Sequence, residues 1–103
     1  MPELTSLDEL TATPHAEVFE KRQPRTVRLQ LDADERIPAH THPGIDVVLH
    51  LLSGRLDLWL DETRYELEPG QLVRFSGERE VSPHAREPST AIVVFAPAED
   101  ATG

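Results

Sequence analysis

Between residues 16 and 97 the chain is broken every few positions by Gly, Pro or Asp, and between breaks its apolar residues recur at every second place. Val27, Leu29 and Leu31 alternate with Thr26, Arg28 and Gln30, and Leu56, Leu58 and Leu60 alternate with Arg55, Asp57 and Trp59. A period of two belongs to a strand with one buried face, and the breaks leave no room for a long amphipathic helix. Residues 45–52 are almost continuously apolar, which suits a strand buried on both faces. Ser53-Gly54 turns into a strand over 55–60, Asp61-Glu62 into one over 63–67, and Glu68-Pro69-Gly70 into one over 71–75, with a last strand over 90–96. About seven to nine strands at this spacing predict a β-sandwich or barrel. No internal repeat points to a solenoid.

Residues 1–15 read as an N-terminal arm, in which Leu4, Leu7 and Leu10 allow one short helical turn. The barrel is expected over 16–97 and a tail over 98–103. A length of 103 residues suits one domain. The chain has no cysteine, which removes disulfides, thiolate metal sites and cysteine nucleophiles; any metal must sit on His, Asp or Glu. Nineteen acidic residues against ten basic ones, with Lys21 the single lysine, argue against nucleic acid as a partner. No apolar run approaches the roughly 20 residues of a membrane span, and the N-terminus lacks the features of a signal peptide, so a cytoplasmic protein without a membrane partner is expected.

His40-Thr41-His42 is the sharpest chemical feature. Two histidines two apart in a strand share a face, and both rings can reach one ion. Pro43-Gly44 then bends the chain so that Asp46 can return to the same side. Two imidazoles and a carboxylate form a facial set suited to Fe, Mn or Zn, with positions left open for a ligand. His50 shares a face with Asp46 by the period of two. It is read either as a cavity residue or as a buried neutral histidine. Trp59 is a candidate for the ligand pocket or for packing. Arg55, Arg64 and Arg74 could gather on a carboxylate or serve as surface ion pairs. No nucleophile elbow and no glycine-rich phosphate loop is present.

The stretch His40-Thr41-His42-Pro43-Gly44-Ile45-Asp46, followed by an apolar strand and Gly54, resembles the first motif of the cupin superfamily. Glu68-Pro69-Gly70-Gln71-Leu72-Val73-Arg74-Phe75 resembles the start of the second. The resemblance implies an all-β cupin-type double-stranded β-helix, a small jelly-roll barrel, usually dimeric, with any metal inside the barrel mouth. Several positions depart from the pattern. Asp34 stands where the first motif opens on glycine. Asp46 replaces the usual Glu and lies one residue further from Gly54 than is common; the commoner spacing selects Val47, so either Asp46 or Val47 faces inward. In the second motif Val81 falls where the fourth ligand, a histidine, is usual, and Glu80 and His84 are the substitutes within reach.

The resemblance implies two classes of function. In one, a divalent metal on His40, His42 and Asp46 binds a small oxygen-bearing molecule, in the manner of a dioxygenase or isomerase. In the other, the barrel is a non-catalytic small-molecule-binding or sensing module with no tightly held metal. A homodimer joined through an edge strand or the N-terminal arm is expected in either case.

Overall fold

Alternation and turn chemistry produce eight strands in the computed structural model, which describes residues 2–98. They are β1 (His15–Glu17), β2 (Arg25–Leu31), β3 (Ile45–Ser53), β4 (Leu56–Leu60), β5 (Thr63–Leu67), β6 (Leu72–Ser76), β7 (Val81–Ala85) and β8 (Ser89–Pro97). Five form a sheet in the order β1-β2-β8-β3-β6, and three form a second in the order β5-β4-β7. Every pairing is antiparallel. The expected all-β barrel is therefore present, while the expected tail lies, beyond Ala98, outside the described residues. No helix among the described residues is long and apolar enough to cross a membrane.

The inner faces of the two sheets supply one core. Leu31, Leu51, Leu56, Leu58 and Leu60 are almost completely buried. Each leucine taken from water contributes about 1.5–3 kcal/mol. Towards the other end of the barrel the inward residues are shorter, among them Val27, Val47, Val81 and Val93, and there the sheets do not meet.

Residues 36–40 extend the smaller sheet beside β7 through two bridges, Arg36↔His84 and His40↔Val81. Between these bridges the segment advances four residues while β7 advances three. The extra residue, at Pro38-Ala39, acts as a β-bulge and reverses the face that the next residues present. Ile37 and His40 consequently both line the barrel interior, although a regular strand would turn one of them out.

The arm contains a single 3-10 turn, Leu7–Glu9, and folds back on the large sheet. Thr5 Oγ1 donates to the Val18 carbonyl at 2.8 Å, and Arg28, 5% exposed on the outer face of β2, donates from Nη2 to the Ala12 carbonyl at 3.0 Å.

Gly54 closes β3 into β4 at φ +92°, where a β-carbon would collide with Ser89 and with the Pro88 carbonyl. Gly70 has the same φ with open space around it. Gly54→Ala is expected to cost about 2–3 kcal/mol and Gly70→Ala about 1 kcal/mol, read from urea unfolding midpoints. Equal costs would mean that the Ser89 contact is slack.

Candidate functional site

The open end of the barrel encloses a cavity of about 520 Å³. Its wall is apolar: Val27, Leu29, Val47, Leu49, Phe75 and Val93 come from the large sheet, and Ile37, Val81 and Pro83 from the small one. Four side chains able to bond polar groups line it as well, His15, Arg25, His40 and His42. Concave apolar space with a few polar groups is the usual form of a small-molecule site.

Local chemistry places each of these four. His40 precedes the turn formed by His42-Pro43-Gly44-Ile45, in which the Ile45 N–H donates to the His42 carbonyl at 3.1 Å and Gly44 takes φ +76°. Proline at the second position and glycine at the third are what a type II turn requires. Gly77 seals this turn from the other side: the His42 N–H donates to the Gly77 carbonyl and the Gly77 N–H to the Ile45 carbonyl, both at 2.7 Å. A β-carbon at Gly77 would strike the carbonyl oxygens of His42 and Ile45, so only glycine lets the turn close. The rings of His40 and His42 stand edge to face with centroids 4.8 Å apart, and the His42 ring lies 5.0 Å from that of Phe95. His40 Nδ1 is 2.9 Å from the Pro38 carbonyl. A carbonyl only accepts, so the His40 proton sits on Nδ1 and the Nε2 lone pair is left available.

Arg25 opens β2 opposite Phe95 of β8. Its guanidinium carbon stands 5.0 Å over the Phe95 ring, while Nε and Nη2 both donate to Glu17 Oε2, at 2.9 and 2.6 Å. The hydrogen bond from Arg25 holds the Glu17 carboxyl below its ordinary range. Burial lowers the pKa of His42, with His40 and Arg25 adding to the effect. His15 is lowered by the same causes, its ring turned against the cavity rim. Both are therefore neutral near pH 7.

Strand β3 decides between Asp46 and Val47. It pairs with β6 without interruption from Asp46 to His50 and with β8 from Ile45 to Leu51; its one register shift lies between Leu51 and Ser53. With no bulge near Asp46, period two turns Val47, 2% exposed, to the cavity and Asp46 to the outer face. There the Asp46 carboxylate accepts from Arg74 Nη2 at 2.7 Å. His50, four residues along, shares that outer face rather than the cavity wall.

The remaining candidates lie elsewhere too. Glu80 is exposed before β7, where its N–H donates to Asp61 Oδ1 at 3.0 Å. His84 points outward from β7, because Val81, Pro83 and Ala85 take the buried positions. Its Nε2 lies 3.1 Å from Ser82 Oγ, whose own proton goes to the Ile37 carbonyl, so the imidazole is the donor. Trp59 covers His84 on that outer face, with centroids 6.3 Å apart. The arginines do not gather: Arg55 pairs with Glu68, Arg64 with Glu66, and Arg74 with Asp46.

His15, Arg25 and Phe95 are not legible as site residues in the sequence. Each belongs to an edge or end of the large sheet, far along the chain from His40, and only the pairing of β1, β2 and β8 brings them to one rim. The donor set at this rim does not make the metal centre that the resemblance implies. Val47 and Val81 face the cavity where a carboxylate and a histidine would be needed, a guanidinium stands nearby, and among the described residues no three His, Asp or Glu side chains converge to hold an ion.

This geometry has two measurable effects on stability. As pH falls below the ordinary imidazole value of 6.5, the unfolded chain takes up protons that folded His42 and His15 resist. Stability is therefore expected to fall as pH is lowered from about 6.5 and to be independent of these two groups above it. Urea midpoints at pH 5.5 and 7.5 test this, with a smaller difference expected in His42→Gln. Asp46→Asn breaks only a partly exposed ion pair and is expected to change stability by less than about 1 kcal/mol by the same measurement.

The chain matches the cupin domain family over residues 27–96. No protein of curated function matches it in sequence. Among solved structures, KdgF from Halomonas sp. is 18% identical and superposes with a TM-score of 0.82 over 100% of both chains. TT1209 from Thermus thermophilus is 22% identical with a TM-score of 0.82, covering 93% of this chain and 98% of that one. The cupin domain of an XRE family transcriptional regulator from Enterobacter cloacae is 18% identical with a TM-score of 0.74, covering 82% of this chain and 96% of that one. At these identities the structural likeness concerns the fold, whereas the sequence match spans well over half the chain: with its jelly-roll barrel and its His40-Thr41-His42 motif, the protein belongs to the cupin family.

Proposed function

We propose that this cupin is a non-catalytic binding or sensing module that holds a small, largely apolar molecule by an oxygen-bearing head, without a tightly bound metal. The composition of the cavity wall carries this reading: about 520 Å³ lined by aliphatic and aromatic side chains, with His15, Arg25, His40 and His42 as its hydrogen-bonding groups. Such a wall attracts an apolar body through removal of its surface from water, and the polar groups orient the head. A fold of the same kind serves as the cupin domain of a transcriptional regulator, which supports a sensing role.

One observation favours a second reading, in which a metal assists binding. The His40 proton is held on Nδ1 by the Pro38 carbonyl, and a backbone acceptor behind the ring leaves Nε2 directed as a metal-ligating imidazole would have it. His42, 4.8 Å away between ring centroids, would be the second ligand. Fe, Mn or Zn held by two imidazoles alone would bind weakly and exchange readily, and when bound would supply Lewis-acid polarisation of the ligand's oxygen.

Elemental mass spectrometry on protein purified without a histidine tag separates the two readings. Well under one metal ion per chain is expected both as purified and after equilibration with added Zn(II); about one ion per chain taken up on equilibration, and lost in His40→Ala/His42→Ala, would establish the second. Ligand binding is read by thermal unfolding with a panel of small amphiphilic compounds. A true ligand at a hundredfold its Kd is expected to raise Tm by roughly 10 °C. Val47→Phe, which fills part of the cavity, should remove that rise; a rise retained in Val47→Phe would place the ligand outside the barrel.

A further inference from the structure

The arrangement of Arg25 narrows the ligand class within the binding role proposed above, on which this inference rests. A guanidinium has two edges that can each grip a carboxylate. Glu17 occupies the Nε side through a single oxygen, Oε2, and Phe95 supports the plane from below. Among the described residues Nη1 has no protein acceptor, although Arg25 lines the cavity. The group is thus held rigid by its neighbours while one end keeps unused donors, which is the preorganisation that makes an ion-binding site effective.

Charge agrees with this. Arg22 Nε lies 3.8 Å from Glu17 Oε1 while Arg25 holds Oε2, so Glu17 is shared between two cations and the trio retains one positive charge. In a chain with a formal net charge of −9, this trio is a local positive spot at the cavity rim. His42, its ring 5.0 Å from that of Phe95, adds an imidazole at the same rim. A single remaining charge and a planar fork match one carboxylate better than a dianionic phosphate.

We propose that the cavity binds monocarboxylic acids with an apolar body, the carboxylate on the Nη1 end of Arg25 and the body against Val27, Val47, Leu49, Phe75 and Val93. The cavity of about 520 Å³ has room for roughly fifteen non-hydrogen atoms at about the 30 Å³ a water occupies. Arg25 is the specificity residue, and Glu17 positions it.

Isothermal titration with matched pairs tests this: 4-phenylbutyrate against 4-phenylbutanol, and octanoate against octanol, at pH 8, where imidazoles are uncharged. Each acid is expected to bind at least about tenfold more tightly than its alcohol. That preference is expected to vanish in Arg25→Gln and in Glu17→Gln/Arg25→Gln, the second variant leaving no unpaired carboxylate should the first fold poorly. Circular dichroism confirms that the variants are folded. Equal binding of acids and alcohols would overturn the carboxylate assignment and leave the apolar cavity reading standing. A preference that survives in a folded Arg25 variant, or tighter binding of 4-phenylbutyl phosphate than of the acid, would also overturn it. No binding of any of these compounds at millimolar concentration would overturn both.

Discussion

From Asp46 to His50 strand β3 is hydrogen-bonded without interruption along both of its edges, and the site is set against this stretch. Paired with β6 and β8 at once, the strand cannot slip without breaking two ladders, and its period of two assigns every side chain to a face. Val47, Leu49 and Leu51 are thereby committed to the interior. The carboxylate that would convert two histidines into a metal centre is committed to the outer face, where Arg74 neutralises it.

Opposite this rigid strand, two irregular features of the facing wall do the positioning. The bulge at Pro38-Ala39 turns His40 inward, and the turn at Pro43-Gly44, locked against Gly77, fixes His42 beside it. Irregular backbone at the rim and regular backbone in the core have a common physical cause. The core is stabilised by apolar area, which tolerates no polar group without a partner, whereas the rim can present lone pairs and N–H groups to water or to a ligand. The result is a cavity whose base is hydrocarbon and whose polar chemistry is concentrated in Arg25 and three imidazoles.

Much of this is legible in the order of residues. The alternation of Leu56, Leu58 and Leu60 and the turns at Ser53-Gly54 and Pro43-Gly44 reappear in the strands and reversals of the barrel. His40 and His42 read as strand neighbours in the sequence, but the stretch that carries them is extended backbone bridged only at Arg36 and His40, because proline lacks an N–H and the bulge interrupts the ladder. Strand β7 is hidden in the sequence, since Pro83 and the charged run before it conceal its alternation, which burial of Val81, Pro83 and Ala85 makes plain. His40 and His42 stand out because a two-residue spacing is a local property. Asp46 and His50 reach the cavity side only if β3 is bulged near Asp46, and it is not.

Composition and spacings of a few residues are enough to dictate the class of fold, the absence of thiol chemistry and the pairing of His40 with His42. That Val47 rather than Asp46 faces the cavity, and that Glu17, Arg25 and Phe95 meet His42 at one rim, is settled only when the strands assemble. The reason is the range of the interactions. Alternation and turn preference act between near neighbours, whereas the register of β3 and the convergence of β1, β2 and β8 depend on ladders between residues tens of positions apart, where one residue more or less exchanges the two faces.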